Sequence, residues 1–175
     1  MTFKFSRGAK AGSEHQAHSS RPGHGPWRQF WIFLGLVALI GFVLNEVWEM
    51  AQMRAYVETN GAPWLATLAL CTRAALGDVA IVLGLYAGGA LAAADLAWGL
   101  RGRWNTYLVT GLLGLGVAIL IEHAALVDGR WTYGTHMPII PLVNAGLWPL
   151  LQMTLLPPAT FWIARRLAGH SLIET

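Results

Sequence analysis

Four of the nine acidic residues in this chain lie inside or at the edge of long apolar stretches, where water does not reach a carboxylate. A charge at the centre of a membrane-spanning helix costs roughly 2.5–3.5 kcal/mol on insertion scales. Such residues therefore persist mainly where they meet one another, a cation or a water-filled cavity. Carboxyl groups held in this way can give up and take back a proton, as an acid/base catalyst does. The four are Glu46, Glu49, Asp78 and Glu122.

The polar residues at the end of the first apolar stretch occupy one helical face. Asn45, Glu49 and Gln52 are spaced four and three residues apart, so their side chains fall within an arc of about 100°. Glu46 lies beside them. Glu46 and Glu49 are one helical turn apart, and we expect this pair to share a proton. Asn45 and Gln52 are the expected substrate-binding neighbours of the two carboxyl groups.

A second set of candidate residues surrounds the end of the third apolar stretch. Glu122 and His123 are adjacent, and because neighbouring residues in a helix diverge by about 100°, at most one of them points at the bundle axis. The loop that follows, GRWTYGTHMPIIP, is rich in aromatic and proline residues. This loop either covers the acidic cluster as a lid and contacts the substrate through Trp131, Tyr133 and His136, or anchors the chain at the membrane interface through its aromatic residues.

The composition places the chain in a membrane. Hydrophobic residues make up 55% of the sequence and charged residues only 12%, with a mean hydropathy of +0.47, which leaves too little polar surface to coat a soluble globule. We therefore expect an all-α polytopic membrane protein whose first partner is the lipid bilayer. The single cysteine, Cys71, excludes an intrachain disulfide and a cysteine-based zinc site.

Four transmembrane helices account for the apolar stretches. A helix needs about 20 residues to cross a hydrocarbon core of about 30 Å, and the run 64–98 has 35 residues, so it is too long for one upright span. We expect a short interfacial or re-entrant helix over 64–72 before the second span. The predicted organisation is a disordered basic tail at 1–28, a four-helix domain at 29–166 with spans at about 30–53, 73–98, 106–127 and 139–164, and a second tail at 167–175.

The basic residues predict the orientation of these spans, since lysine and arginine concentrate on the cytoplasmic side. With four spans, the N-terminal tail, the turn at Arg101 and Arg103, and the end of the chain from Arg165 and Arg166 lie on one side and hold nine of the twelve basic residues. Both termini are therefore expected in the cytoplasm, in a multi-pass protein of a bacterial inner membrane. This topology gathers the four carboxylates in the outer half of the bundle, and it adds Arg73 and Asn144 to the expected substrate-binding residues.

An acidic cluster in that place supports two chemical hypotheses. The first is acid/base chemistry that isomerises or cyclises a lipid or isoprenoid, which enters sideways from the bilayer and needs no cofactor. The second, a lesser alternative, is a metal site built from carboxylates and histidines of different helices. The expected catalytic residues are Glu46, Glu49, Asp78, Glu122 and His123, and no metal ligand is expected. The metal alternative would draw its ligands from Glu46, Glu49, Glu122 and His123, with His136 as a further candidate.

The main alternative is a non-catalytic accessory or assembly subunit of a membrane complex, in which the polar cluster only fixes helix packing. Small residues such as the G-x-x-x-G pattern at Gly84 and Gly88 suit close contact with a partner helix or with a second copy of the chain. The sequence has no P-loop, G-x-G-x-x-G, H-E-x-x-H or G-x-S-x-G element, so it identifies no cofactor. No feature suggests a nucleic-acid partner, and the sequence leaves open whether the chain is an enzyme.

Overall fold

Four long helices form a bundle in the computed structural model of the chain, which describes residues 26–102 and 104–170. The predicted all-α class is confirmed, with one very short hairpin as the only sheet among the described residues. In chain order, the elements are α1 (Pro26–Gln52), a 3₁₀ turn (Met53–Ala55), α2 (Trp64–Ala93), α3 (Trp98–Arg101), α4 (Trp104–Val127), the hairpin of β1 (Ile139–Ile140) and β2 (Ala145–Gly146), and α5 (Leu147–His170).

Three of the described helices, α1, α2 and α4, are long and apolar enough to cross a membrane. Large apolar side chains such as Leu39, Leu91 and Leu120 are exposed on their outer faces. When the exposed side of a helix is apolar as well as its packed side, the helix is suited to contact with lipid. These observations support the predicted membrane class. Helix α5 is as long as α4, with 24 residues, but it is less apolar.

The helices follow one another around the bundle in the order α2, α1, α5 and α4. Helix α1 packs along both α2 and α5, and α5 packs along α4, whereas α2 and α4 touch each other over a much shorter stretch. An aromatic core of Phe33, Tyr86, Trp98 and Phe161 joins α1, α2, α3 and α5. The side of the bundle between α2 and α4 is therefore its least closed side.

Helix α2 is continuous, so the predicted separate interfacial helix over 64–72 is wrong. No proline interrupts it, and Thr67, Cys71 and Ala75 are buried along one face that crosses the predicted break. The helix ends at Ala93, earlier than predicted, because Ala94 adopts a left-handed conformation with a φ of 48°. Its 30 residues are about 45 Å long, so α2 extends beyond a hydrocarbon core of about 30 Å.

The fourth long helix begins at Leu147 and not at the predicted position 139. Residues 139–146 form the β1–β2 hairpin instead. Pro138 and Pro141 explain the difference, because proline lacks a backbone N–H and disfavours the helical conformation of the residue before it. The Leu147 N–H donates to the Pro138 carbonyl oxygen at 2.8 Å, which ties the start of α5 to the start of the hairpin.

Both ends of the described chain differ from the predicted tail boundaries. Helix α1 begins at Pro26, so residues 26–28 belong to a helix and not to a disordered tail. Proline suits the first helical position, where its missing N–H would have no partner anyway. Helix α5 continues to His170, beyond the predicted end of the last span. The remaining tail residues, 1–25 and 171–175, lie outside the described residues.

Two consecutive prolines, at 157 and 158, lie inside α5 without breaking it. Because proline has no N–H, the carbonyl groups four residues earlier, at Met153 and Thr154, have no helical partner. Both carbonyls face glycines of α4. A Cβ added at Gly114 would lie closer than 3.0 Å to the Met153 oxygen, and one at Gly111 would lie 2.9 Å from the Thr154 oxygen. The two glycines thus let α4 approach α5 closely and offer Cα–H groups to these carbonyls.

Candidate active site

Gln152 of α5 joins the acidic residues of α1 and α2. Its Nε2 donates hydrogen bonds to Asn45 Oδ1 and to Glu49 Oε1, both at 3.0 Å. The same nitrogen donates to Asp78 Oδ2 at 2.8 Å. Gln152 is absent from the site residues predicted from the sequence. Its signal was nevertheless present, because a lone amide inside an apolar helix needs a polar partner on another helix.

A second amide, Gln52, completes the network on the α1 side. Its Nε2 donates to Glu49 Oε1 at 3.0 Å and to Gln152 Oε1 at 2.9 Å. Its own Oε1 accepts a hydrogen bond from the Trp48 indole N–H at 3.2 Å. Residues three and four positions apart are neighbours on a helix surface, which brings Asn45, Glu49 and Gln52 to one face as their spacing predicts.

Glu49 and Asp78 form a carboxyl pair across the α1–α2 interface. The two groups lie within hydrogen-bonding reach of each other. A hydrogen bond between two carboxyl groups requires a proton on one of them, because an ionised carboxylate has only acceptors. In addition, Gln152 Nε2 carries only two N–H bonds, whereas three acceptor oxygens, of Asn45, Glu49 and Asp78, lie within hydrogen-bonding distance of it. One proton shared between Glu49 and Asp78 would supply the missing hydrogen-bond donor.

Glu46 does not join this pair, so the predicted proton sharing between Glu46 and Glu49 is replaced by the pairing of Glu49 with Asp78. Glu46 Oε1 accepts a hydrogen bond from Thr72 Oγ1 of α2 at 3.1 Å. Its other carboxyl oxygen is buried without a hydrogen-bond partner. The hydrogen bond to Thr72 holds the Glu46 carboxyl against α2, whereas the Glu49 carboxyl lies beside Asp78.

Glu122 reaches the same region from α4 and is held by the outer loop. The Tyr133 hydroxyl donates to Glu122 Oε2, and the Trp131 indole N–H donates to the same oxygen at 3.4 Å. The Tyr133 hydroxyl accepts a hydrogen bond from the Gly146 N–H at 2.8 Å. His123 is exposed, and its Nε2 lies 2.6 Å from a carbonyl oxygen in the β1–β2 turn. Of the two adjacent residues, only Glu122 turns inward.

A cavity of about 630 Å³ lies among these groups. Its carboxyl groups belong to none of the ion pairs that the described residues form, which are Arg101–Asp95 and Arg130–Asp128. Most of its remaining wall is apolar. The side chains that carry its chemistry are the carboxyls of Glu49, Glu58, Asp78 and Glu122, the amides of Gln52 and Gln152, the cations Arg73 and Arg130, and the aromatic rings of Tyr56 and Trp131.

The outer connections lie over one end of this cavity. The Val57 N–H donates to the Thr132 oxygen at 3.0 Å, and the Gly134 N–H donates to the Ala55 oxygen at 2.8 Å. These bonds join the connection between α1 and α2 to the loop after α4. The loop that the sequence predicts as a lid therefore forms one half of a hydrogen-bonded roof.

Several predicted site residues lie outside the cavity. His123 faces away, and Asn144 is exposed in the hairpin turn with a φ of 47°. His136 is exposed and lines a second cavity of about 590 Å³ between the outer connections. Within residues 26–102 and 104–170, no three His, Cys, Asp or Glu side chains come together in a way that could hold a metal ion. The ligand set of the metal alternative is therefore not assembled there.

Comparison with known proteins does not extend these observations. No protein-family model, curated protein or solved structure matches this chain. The geometry of the site therefore carries the functional argument. It offers a carboxyl pair, a third carboxyl held by two aromatic residues, and an apolar cavity between them.

The phenols of Tyr56 and Tyr133 lie outside the three candidate spans and resist ionisation. Burial raises the pKa of Tyr133 above its usual value, and its hydrogen bond to Glu122 and the charge of that carboxyl raise the pKa further. Burial likewise raises the pKa of Tyr56, and the charges of Glu122 and Glu49 add to the effect. Tyr133 therefore remains a hydrogen-bond donor to Glu122 at neutral pH and well above it.

Alkaline pH should reduce stability in a way that depends on Tyr133. A free phenol ionises near pH 10, so above about pH 10 the unfolded chain loses a proton that folded Tyr133 keeps. The stabilisation is complete below that pH and is lost as the pH rises toward the folded pKa. We expect Tyr133→Phe to melt below wild type at about pH 8, and the gap to shrink above about pH 10. Melting curves with a constant gap would contradict this.

Proposed function

We propose that this chain is a membrane-embedded enzyme whose Glu49–Asp78 pair performs acid/base chemistry on a lipid-soluble substrate such as an isoprenoid. One observation carries the proposal: two carboxyl groups within hydrogen-bonding reach of each other lie on the wall of a largely apolar cavity. The ion pairs of the described residues lie elsewhere, so no arginine in them neutralises this pair.

The pair supplies both halves of a proton transfer. Its protonated member gives a proton to a carbon–carbon double bond, and the resulting carboxylate side of the pair removes a proton from a neighbouring carbon. The double bond shifts or a ring closes, and nothing is oxidised or reduced. The Glu122 carboxyl, oriented by Tyr133 and Trp131, stabilises the positive charge that develops on the substrate. Gln152 positions the two carboxyl groups relative to each other.

Four spans with both termini in the cytoplasm of a bacterium form part of this proposal. Helix α5 is as long as α4 and packs along it, which supports a fourth span. The Arg165 Nε–H donates to the Leu100 oxygen at 3.0 Å, so the basic end of α5 lies beside the basic turn before α4. The concentration of basic residues at this end favours a cytoplasmic position for it.

Solvent deuterium tests the proposed chemistry before the substrate is known. Purified protein in phosphatidylcholine nanodiscs is incubated in D₂O with bacterial lipid extracts, and the lipids are analysed by mass spectrometry. We expect one lipid class to gain carbon-bound deuterium in the presence of wild type. Glu49→Gln and Asp78→Asn should each lower that rate roughly 100-fold or more, as loss of a general acid or base does.

Asp95→Asn is the matched control for these variants. Asp95 is paired with Arg101 at 3.0 Å and does not line the cavity. The Asp95→Asn variant should transfer deuterium at the wild-type rate. Absence of transfer with wild type, or equal transfer with Glu49→Gln, would contradict the proposal. If Glu49→Gln and Asp78→Asn fail to accumulate in the membrane while Asp95→Asn does, the carboxyl pair serves helix packing instead.

An accessory subunit is the second candidate, and one observation favours it. A Cβ added at Gly77, Gly84 or Gly88 of α2 would meet no atom within 4 Å. Small residues on an open helix face allow a partner helix or a second copy of the chain to approach closely. If the chain is an accessory subunit, it should form a stable larger complex in mild detergent, and Gly84→Trp should dissociate this complex. The wild-type chain should also show no deuterium transfer.

A further inference from the structure

We infer that the cavity takes its ligand sideways from the bilayer, between α2 and α4, and that this ligand is an amphiphile with an anionic head bound at Arg73. The inference deepens the proposed function and rests on it, because it names the substrate class of the same cavity. Three features carry it: a roof over the cavity, an opening along α2, and a cation at that opening without an ion-pair partner among the described residues.

The outer connections cover part of the cavity, while Glu58 and Arg130, which line it there, are exposed. Backbone hydrogen bonds join these connections, as described above. The Tyr56 ring also contacts the rings of Trp131 and Tyr133, with centroid distances of 6.4 and 6.1 Å. These contacts narrow the cavity on this side. An apolar ligand held in the bilayer requires an opening on a face that lipid covers.

The open face lies along α2. Leu70, Ala74 and Gly77 line the cavity and are at the same time exposed on the surface of the bundle. Helix α2 contacts α4 over a much shorter stretch than it contacts α1. The exposed flank of a spanning helix faces lipid, so the cavity communicates with the bilayer through the gap between α2 and α4.

Arg73 is the cation at this opening. It is exposed, it lines the cavity, and it takes part in neither ion pair of the described residues. Its guanidinium offers a fork of N–H donors that matches a carboxylate or a phosphate. The other cation of the lining, Arg130, is already engaged, because it lies 3.6 Å from Asp128 and stacks over Trp131.

Charge then determines how the ligand lies. The carboxyl pair of Glu49 and Asp78 repels an anionic head from the inner part of the cavity, whereas the apolar wall accepts a hydrocarbon chain. Asp78 follows Arg73 by five residues, which is about 7.5 Å along the helix axis. With its head at Arg73, the amphiphile would reach the carboxyl pair with its hydrocarbon chain.

Cys71, the single cysteine of the chain, lines the cavity, so its alkylation reports whether the cavity is occupied and no cysteine has to be introduced. Alkylation of Cys71 by lipid-soluble N-ethylmaleimide is measured by mass spectrometry in phosphatidylcholine nanodiscs, with and without dodecyl phosphate. We expect dodecyl phosphate to slow alkylation of wild type roughly tenfold, and Arg73→Gln to lose most of this protection. Arg166→Gln is the matched control, because Arg166 is exposed on α5, stacks over Trp162 and does not line the cavity.

Two further probes distinguish the head group and its source. Inorganic phosphate and dodecyltrimethylammonium should both fail to protect Cys71. Protection by inorganic phosphate would assign the site to a free anion, and protection by the ammonium amphiphile would reverse the proposed charge preference. Either result would overturn the inference. Equal protection of Cys71 in wild type and in Arg73→Gln would also overturn it, as would a failure of N-ethylmaleimide to reach Cys71.

Tryptophan substitutions test the lateral route. Gly77→Trp should slow the reaction of N-ethylmaleimide with Cys71, because the indole would fill the opening. Gly84→Trp, at another open position of α2, should not. Faster labelling by a sulfonated maleimide than by N-ethylmaleimide would place the opening on the water side and overturn the inference. These readouts need no activity, so normal protection without deuterium transfer would contradict the proposed function alone.

Discussion

Replacing Gly114 by alanine is expected to lower the melting temperature by roughly 10 °C. The added Cβ would lie closer than 3.0 Å to the Met153 carbonyl oxygen, which belongs to the backbone and cannot move without shifting α5. Overpacking typically costs about 1–3 kcal/mol and occasionally more, and for a chain of this size 1 kcal/mol corresponds to about 2–4 °C. The same shift would move Gln152, the neighbour of Met153, relative to the carboxyl pair.

Gly116→Ala is the control for this prediction, on the same helix. A Cβ at Gly116 would meet nothing within 4 Å. Alanine is favoured over glycine inside a helix by up to about 1 kcal/mol, so this variant should melt at or slightly above the wild-type temperature. Thermal unfolding of both variants in the same detergent checks the difference. Equal melting temperatures would show that α4 and α5 are not in close contact at these glycines.

Gln152→Leu is expected to lower stability by about 3 kcal/mol, which is roughly 6–12 °C in melting temperature. Leucine removes the donor that serves Asn45, Glu49 and Asp78, and it removes the acceptor that serves Gln52. Each buried polar group left without a partner costs about 1–3 kcal/mol, although losses within one network do not simply add. Deuterium transfer should fall with stability, because Glu49 and Asp78 lose the amide that positions them.

Gln29→Leu provides the matched control for Gln152→Leu. Gln29 is a half-buried glutamine of α1 that does not belong to the network. Its replacement should leave both the melting temperature and deuterium transfer close to the wild-type values. Should Gln152→Leu melt together with wild type and Gln29→Leu, the amide would not be holding α5 to α1 and α2.

The sequence by itself determined the membrane class and the local part of the site. Composition alone required an apolar environment, and the three candidate spans agree with it. The common face of Asn45, Glu49 and Gln52 depends only on helical periodicity, which acts within a few residues. The prediction that Glu46, Glu49, Asp78 and Glu122 meet followed from the orientation of the helices. In the structure, Glu49, Asp78 and Glu122 line one cavity, whereas Glu46 does not line it.

Only the tertiary structure decided which of these residues touch. Whether Glu49 pairs with Glu46 or with Asp78 depends on how α1 is rotated and offset against α2, and periodicity within one helix leaves both quantities free. The close contact of Gly114 with Met153 fixes the rotation and the offset of α4 against α5. It thereby helps to place Gln152, the neighbour of Met153, in the network. These contacts join residues far apart in the chain, and local spacing carries no information about them.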